Sequence, residues 1–372
     1  MSTLGFVSIS PKHEEAFAVK LAKSAASFGI EVVRFTPLDL QPGSNVIQGR
    51  QYSAEKGDFE HAKFSIPNLI YDRCLYQQNS VSKKAKPIMD WLKKYPKTQF
   101  LSLGFPANKW LLYQHLHTND SLRPYLPTCS ILKDSAVIVA YLKEYSACML
   151  KPLSHELGTK PIYIYMNDQQ KLTTCFYQKK QKQEMTFSNQ SLFESWSKKY
   201  LNRYMIQSIN SSQTNDLLSV EIRIFLMKNK QNQWDIIGKC IKKENQMNFL
   251  MISQITEHML GFDDYLKSLK PELKQLLLDD ISTICSAFLD LFNTQFPLLF
   301  EVALDICHTN EGQLYISNVI SKPGRSSLLE AFPEKENDIV NAILHRCLNT
   351  INENKVVQHD QKAILDRHSS KK

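Results

Sequence analysis

Six short segments of this 372-residue chain carry residue types that bind phosphate groups or metal ions in proteins. A lysine at a strand end and before a loop can hold phosphates; Lys151 has this setting, and Lys109 is a second candidate. A polar residue near a strand end, here Gln207, is suited to recognise adenine, and an acid on a late strand, Asp305, supplies oxygen ligands that Mg²⁺ prefers. Each of these residues also has a purely structural interpretation: the two lysines as exposed surface residues, Gln207 as a polar strand end and Asp305 as a structural acid. The segments are N-K-W (108–110), L-K-P (150–152), M-I-Q-S (205–208), E-I-R (221–223), E-V-A-L-D-I (301–306) and S-K-P-G-R (321–325).

The last segment predicts a fixed basic turn after a strand over 314–320. Pro323 restricts φ and Gly324 permits a left-handed backbone. Lys322 and Arg325 flank the pair with positive charge, so the turn predicts an anion site. A second interpretation fits equally well, in which the two cations only cap the turn.

Asp305 and Arg223 are charged residues inside otherwise apolar strands. A buried carboxylate is costly unless a cation or hydrogen-bond donors accompany it, so Asp305 is a candidate metal ligand. Arg223 also needs a partner, and Glu221 lies on the same strand face two residues earlier, so a structural ion pair explains both residues equally well. Glu301 shares a strand face with Asp305 but lies about 13 Å away at ~3.3 Å per residue. The two acids therefore cannot share one ion unless the strand bends.

Alternating strand and helix patterns predict how these residues are positioned. The first 35 residues indicate β-α-β, with a helix that begins at Ser10-Pro11, and strands over 66–73 and 99–103 extend this to one parallel α/β unit. A long amphipathic helix is predicted over 264–292. These patterns predict an α/β unit over 1–105, a helix over 107–117 that follows it, and a disordered polar tail over 353–372.

Composition indicates a soluble globular protein with anionic partners. The net charge of +8 favours nucleotides or other anions, but the basic residues are spread along the chain, so nucleic acid is not favoured. Eight cysteines stand singly without a C-x-x-C pair, which indicates reduced thiols in the cytoplasm. The N-terminus has no signal-peptide pattern and no apolar run approaches ~18 residues, which excludes a membrane-spanning protein. Glycine, at 11 residues, is scarce for a fold that uses glycine loops to hold phosphate.

The segments, taken together with their neighbours, resemble the YheC/YheD family of the ATP-grasp superfamily. The resemblance extends over roughly 3–350 and is nearer to the YheC branch than to the YheD branch. The stretches that carry it are I-Y-D-R, K-A-K-P-I-M-D-W-L-K-K-Y-P-K-T-Q-F, N-K-W-L-L-Y-Q-H-L, E-I-R-I-F-L-M-K-N, F-E-V-A-L-D-I and I-S-K-P-G-R.

The resemblance implies an ATP-grasp fold, of α/β and α+β class, with 1–105 as a pre-ATP-grasp domain and 106–210 and 211–352 as the two lobes. It implies ATP and Mg²⁺ as cofactors, association with the endospore coat, and coat proteins as partners. The site residues that it implies are Lys109, Lys151, Gly158, Gln207, Lys322 and Arg325 for the nucleotide, Asp305 and Asn318 for the metal, and Arg223 for the transferred phosphoryl group.

The sequence departs from the family pattern at several signature places. The family's phosphate loop, K-P-x-x-G-x-x-G-x-G, is here K-P-L-S-H-E-L-G-T-K-P, so that only Gly158 remains. Glycines in such a loop allow backbone N–H groups to approach phosphate. The family's late acid and Asn are here Asn318 and Ile320, and Ile cannot bind Mg²⁺. The family's Gly-Gly pair is missing from 250–256, and its preceding arginines are Lys242 and Lys243.

These departures lead to three hypotheses. The leading one is a degenerate YheC/YheD-type protein that keeps the fold as a nucleotide-binding or structural component and has weak or no catalysis. The alternative is an active ATP- and Mg²⁺-dependent ligase that joins a carboxylate to an amine. The third is a basic binder of an acidic polymer or nucleic acid, which rests on net charge alone.

Overall fold

The computed structural model describes residues 2–41, 43–76, 79–105, 108–154, 160–178, 181–209, 220–243, 258–309 and 312–369. These residues form three β-sheets with helices packed on them.

The first sheet belongs to an N-terminal unit with strand order β4-β3-β2-β1-β5-β6. Strand β1 pairs in parallel with β2 and β5, and β5 with β6, as the alternating strand and helix patterns predict. The polar stretch between 42 and 66 forms an antiparallel hairpin at the edge of this sheet. The elements are β1 (Ser2–Val7), α1 (Glu15–Ala25), β2 (Ile30–Phe35), β3 (Val46–Ser53), β4 (Asp58–Ser65), β5 (Leu69–Asp72), α2 (Ser80–Leu92) and β6 (Gln99–Phe100), with short 3-10 turns at Ala26–Phe28 and Pro37–Asp39.

Helix α1 begins at Glu15, and the predicted start at Ser10-Pro11 is wrong. Residues before it form a turn that ends at Glu14, whose backbone is left-handed at φ 52° and ψ 35°. The buried guanidinium of Arg34 donates to the carbonyl oxygens of Pro11 and His13 at 2.8 and 2.9 Å. These carbonyls point to Arg34, so this tertiary contact holds the segment outside the helix.

The second sheet forms the first lobe and has the order β11-β10-β9-β8-β12-β7, with antiparallel neighbours. Helices α4 and α5 cover one of its faces with an apolar core that includes Ile138, Leu150 and Phe193. Strand β11 was not predicted from the sequence. The elements are α3 (Lys109–His117), β7 (Cys129–Ile131), α4 (Ser135–Tyr145), β8 (Ala147–Pro152), β9 (Ile162–Met166), β10 (Leu172–Gln178), β11 (Gln181–Thr186), α5 (Gln190–Ser197) and β12 (Tyr204–Ile209), with 3-10 turns at Arg123–Tyr125 and Lys198–Tyr200.

The third sheet forms the second lobe, with antiparallel order β15-β14-β13-β16-β17. The long helix predicted over 264–292 is two helices, because Leu269 and Lys270 are extended immediately before Pro271, and a residue before proline avoids the helical region. The elements are β13 (Val220–Lys228), β14 (Trp234–Lys243), β15 (His258–Gly261), α6 (Phe262–Ser268), α7 (Pro271–Gln295), β16 (Glu301–His308), β17 (Leu314–Ile320), α8 (Ser326–Ala331) and α9 (Lys335–Ser369).

The last helix continues through Ser369, where the sequence analysis predicted a disordered tail. The sequence from Lys335 onward contains neither proline nor glycine, so no residue interrupts the helix once it has started. None of the described helices is long and apolar enough to cross a membrane.

A single apolar core joins the N-terminal unit to the second lobe. It contains Leu4 and Phe6 of β1, Phe225 of β13, Ala303 of β16 and Ile343 of α9. The opposite face of the third sheet packs against α7 in a separate core. The N-terminal unit is therefore fixed to the second lobe by apolar burial.

Candidate functional site

Asp305 and Arg223 form an ion pair that is built into the third sheet. They are direct cross-strand partners on β16 and β13. The guanidinium holds both carboxylate oxygens, with Nε at 2.6 Å from Oδ1 and NH2 at 2.8 Å from Oδ2. Asp305 is only 2% exposed and Arg223 13%. Such a two-pronged pair in a buried setting fixes both side chains.

On its other side, Asp305 faces Asn318 across a β-bulge. The pairing register shifts at this point: Asp305 is opposite Asn318, but the next residue, Ile306, is opposite Ile316. Ser317 is therefore the extra residue of the bulge. The Ser317 hydroxyl donates to Glu221 Oε1 at 2.7 Å. Arg223, Asp305, Asn318 and Glu221 thus lie at one place in the sheet.

Lys151 connects the two lobes at this place. It lies in β8, and its Nζ donates to the Ser317 carbonyl oxygen at 2.8 Å. Burial lowers the pKa of Lys151, although the nearby charges of Glu221 and Asp305 act in the opposite direction. The lysine that the resemblance implies for phosphate therefore lies next to the candidate metal residues.

Lys109 lies beside Lys151 at the start of α3. The backbone N–H of Lys109 donates to the Leu153 carbonyl at 2.8 Å, which attaches the helix start to the end of β8. Asn108 caps the helix, since its side chain accepts from the N–H of Trp110. Burial and the positive charge of Lys151 lower the pKa of Lys109 to about 8. The Lys109 ammonium makes no hydrogen bond or ion pair with any described residue. The two lysines are therefore neighbouring positive charges, and no described carboxylate pairs with Lys109.

The two cations of the basic turn pair with carboxylates, two from the N-terminal unit and one from β16. Lys322 Nζ lies 2.6 Å from Asp72 Oδ2, and Arg325 pairs with Glu14 at 3.0 Å and with Glu301 at 3.3 Å. The nucleotide role that the resemblance implies for Lys322 and Arg325 stays a prediction. Their contacts favour the alternative interpretation, in which they fix the turn.

These contacts belong to a larger buried network around Arg73. Arg73 has no exposed surface; it donates to Glu14 at 2.7 and 2.9 Å, to Glu301 at 2.9 Å and to the Pro323 carbonyl at 2.8 Å. The Tyr71 hydroxyl also donates to Glu301. The network joins the end of β5, the start of α1, the start of β16 and the basic turn.

The charges in this network outweigh the effect of burial on its acids. Burial alone would raise the pKa of Glu14, but Arg325 and Arg73 lower it to about 2. Burial would also raise the pKa of Asp72, and the ammonium of Lys322 lowers it. Both carboxylates are therefore ionised at neutral pH and act as the counter-ions of the turn.

The remaining predicted residues are Gln207 and Gly158. Gln207 is in β12, opposite Met149 of β8 and Cys129 of β7, in the same sheet as Lys151. Gly158 lies outside the described residues, as does the segment 250–256, where the family's Gly-Gly pair was expected. Their roles stay predictions.

The residues at the predicted metal position do not fit Mg²⁺. Both oxygens of Asp305 are bound to Arg223, and Ile320 packs against the apolar core. Asn318 is exposed and supplies only a neutral oxygen. Throughout the part of the chain that the structure describes, no three His, Cys, Asp or Glu side chains converge where a metal ion could bind. Mg²⁺ needs near-octahedral oxygen coordination, which these residues do not provide.

Comparison with known proteins identifies the family and the fold. A family model described as YheC/D-like ATP-grasp matches residues 97–349. The chain belongs to this family. It is 34% identical over 370 residues to the endospore coat-associated protein YheC of Bacillus subtilis (strain 168), across 99% of this chain and the whole of that protein. The family and the ATP-grasp fold inferred from the sequence are confirmed.

Solved structures support the fold alone. The macrocyclase MdnC from Microcystis aeruginosa MRC, bound with the precursor peptide MdnA, superimposes with a TM-score of 0.53 at 13% identity, covering 93% of this chain and 99% of that one. A RiPP-associated ATP-grasp ligase from Chryseobacterium gregarium, in complex with ADP and a leader and core peptide, gives 0.53 at 12% identity, covering 92% and 96%.

Sequence reasoning missed the partners rather than the cations. Nothing in the local sequence marks Glu14 as the counter-ion of Arg73 and Arg325, because it lies 59 and 311 residues away from them. Ser317 was missed as well, since a β-bulge depends on the pairing of two strands. The one available signal was that β5 ends in Asp72-Arg73, two charged residues next to a buried strand.

Proposed function

We propose that this chain is a YheC-type ATP-grasp protein that binds the phosphates of a nucleotide and does not catalyse Mg²⁺-dependent ligation. The observation that carries the proposal is the Lys109–Lys151 pair, two neighbouring cations at the junction of the lobes. Burial and mutual repulsion make a paired-lysine site unfavourable unless an anion joins it. A di- or triphosphate has the charge and the length to do so.

The residues at the predicted metal position support the proposed absence of Mg²⁺-dependent catalysis. Phosphoryl transfer in ATP-dependent enzymes relies on metal ions, held by carboxylates, that neutralise developing charge. Here Asp305 is engaged by Arg223 and the neighbouring ligand place is Ile320. The retained framework and the altered ligands favour a binding or structural role.

Association with the endospore coat is part of the proposal. It is supported by the full-length similarity to a B. subtilis protein that is named as coat-associated. In the coat, a nucleotide that is bound but not turned over would hold the two lobes together.

Removing the charge of Lys109 tests the proposal. In calorimetric titration with ATP, we expect the Lys109→Met variant to bind at least about tenfold more weakly than the unmodified protein, since a hydrogen bond to a charged group contributes ~1.5–3 kcal/mol. Lys143→Met is the matched control, because Lys143 is an exposed helical lysine outside the site. Equal ATP affinity in all three proteins, or no binding to any, would refute the proposed site. If the unmodified protein released ADP from ATP well above the level of Lys109→Met, the active ligase would be favoured instead.

The pH dependence of binding gives a separate test of the same lysine. Only the charged ammonium attracts phosphate, and the pKa of Lys109 without ligand is about 8. Affinity should therefore be near its maximum at pH 7 and fall by about tenfold towards pH 9, as the free protein loses the proton that the complex keeps. The Lys109→Arg variant stays charged and should show a much shallower decline. Identical slopes in the two proteins would show that Lys109 does not contact the anion.

A further inference from the structure

We infer that Arg223 is the resident cation of the predicted metal position, so that the site takes the nucleotide's polyphosphate in its metal-free form. The inference rests on the proposed function and specifies the ligand of that same site: free ATP or ADP rather than the magnesium complex.

The first argument is the geometry of the ion pair. Arg223 and Asp305 are held opposite each other by the β13–β16 register, and both carboxylate oxygens bind the guanidinium. A divalent ion at Asp305 would have to displace the guanidinium from both carboxylate oxygens. Because Asp305 is only 2% exposed, few water molecules could complete the coordination shell of such an ion.

The second argument is the chemistry of the neighbouring strand. Asn318, across from Asp305, is exposed and neutral, and Ile320 is packed in the core that joins the second lobe to the N-terminal unit. Neither residue supplies the negative oxygens that would draw a hard cation away from water. Glu221 is buried nearby, but its Oε1 accepts the Ser317 hydroxyl.

The third argument is charge balance. The described ionisable side chains that meet here are Lys109, Lys151 and Arg223 against Asp305 and Glu221, which leaves an excess of positive charge before any metal is added. A divalent cation would increase that excess, and it would also neutralise part of the charge by which phosphates attract the two lysines. Mg²⁺ should therefore compete with the lysines for the polyphosphate instead of assisting them.

Calorimetric titration with ATP and with ADP, in EDTA and in saturating Mg²⁺, tests the inference on the full chain. We expect binding in EDTA, weakened by about threefold or more in Mg²⁺ because the magnesium complex carries less negative charge. A titration with Mn²⁺ alone, monitored by electron paramagnetic resonance, should detect no tightly bound ion at this position.

A variant that restores the family's ligands is the matched comparison. Asn318→Glu combined with Ile320→Asn adds a carboxylate and an amide oxygen beside Asp305 and so reduces the excess of positive charge there. Mn²⁺ should then compete successfully with the Arg223 guanidinium for Asp305, and the effect of Mg²⁺ on ATP binding should change from weakening to strengthening. Should the amide introduced at the half-buried position 320 disturb folding, Asn318→Glu alone, at an exposed position, should still bind Mn²⁺ more tightly than the unmodified chain. Tenfold tighter ATP binding in Mg²⁺ by the unmodified protein would overturn the inference while leaving the proposed function intact. Absence of ATP and ADP binding under both conditions would overturn the proposed function and the inference with it.

Discussion

Replacing Arg73 with alanine is expected to lower the free energy of unfolding by about 3–5 kcal/mol, the cost of removing one partner from a buried ion pair. Arg73 is completely buried, and its guanidinium binds Glu14, Glu301 and the Pro323 carbonyl. Without it, the Glu14 and Glu301 carboxylates would share only Arg325 as a guanidinium partner from the network. Urea unfolding followed by circular dichroism would measure the loss.

The matched control for this prediction is Arg123→Ala. Arg123 also pairs with an acid, Asp120, but the side chains are 52% and 86% exposed. Exposed pairs of this kind contribute about 0–1 kcal/mol, so the control should unfold close to the unmodified protein. A loss below ~1 kcal/mol for Arg73→Ala would mean that water or Arg325 replaces its contacts, and that the network does not hold the basic turn in place.

Arg223→Met is expected to destabilise the protein by about 3 kcal/mol, because it leaves the Asp305 carboxylate buried without its bidentate partner. Met has a similar length and fills most of the space of the Arg stem, so lost packing contributes little. The reason lies in the sheet register, which places Asp305 directly opposite Arg223. Thermal or urea unfolding at neutral pH would measure the change.

The double variant Arg223→Met with Asp305→Asn separates charge from packing. Neutralising the acid removes the buried uncompensated charge, so the double variant should recover a large part of the stability that Arg223→Met loses. Stability losses that simply add in the double variant would show that the two side chains are not energetically coupled. The prediction, and with it the role of Arg223 as a resident cation, would then be wrong.

The order of elements and the family were accessible from sequence because they depend on local patterns. Alternating strand and helix patterns located β1 and β2, and the strands predicted over 66–73 and 314–320 correspond to β5 and β17 to within a few residues. The parallel arrangement of the first sheet followed from strands that alternate with helices. The domain limits at 105, 210 and 352 stay predictions.

Errors arose where a distant contact overrides a local preference. Ser10-Pro11 has the residue types of a helix start, yet Arg34 holds the following carbonyls outside the helix. The error over 264–292 has a local cause instead, because Pro271 keeps the residues before it extended and divides one predicted helix into two. Local propensities of this kind contribute ~1 kcal/mol, less than a buried charged hydrogen-bond network.

The sequence by itself determined which charged and polar residues are available: Lys109, Lys151, Arg223, Asp305 and the two cations of the basic turn. The tertiary structure alone decided which partner each one takes. It directs Lys322 to Asp72, Arg325 to Glu14, Arg223 to Asp305 and Lys151 to a backbone carbonyl of a β-bulge, and it leaves Lys109 facing Lys151. The physical reason is that charge acts through space over a few ångströms, whereas these partners are far apart along the chain.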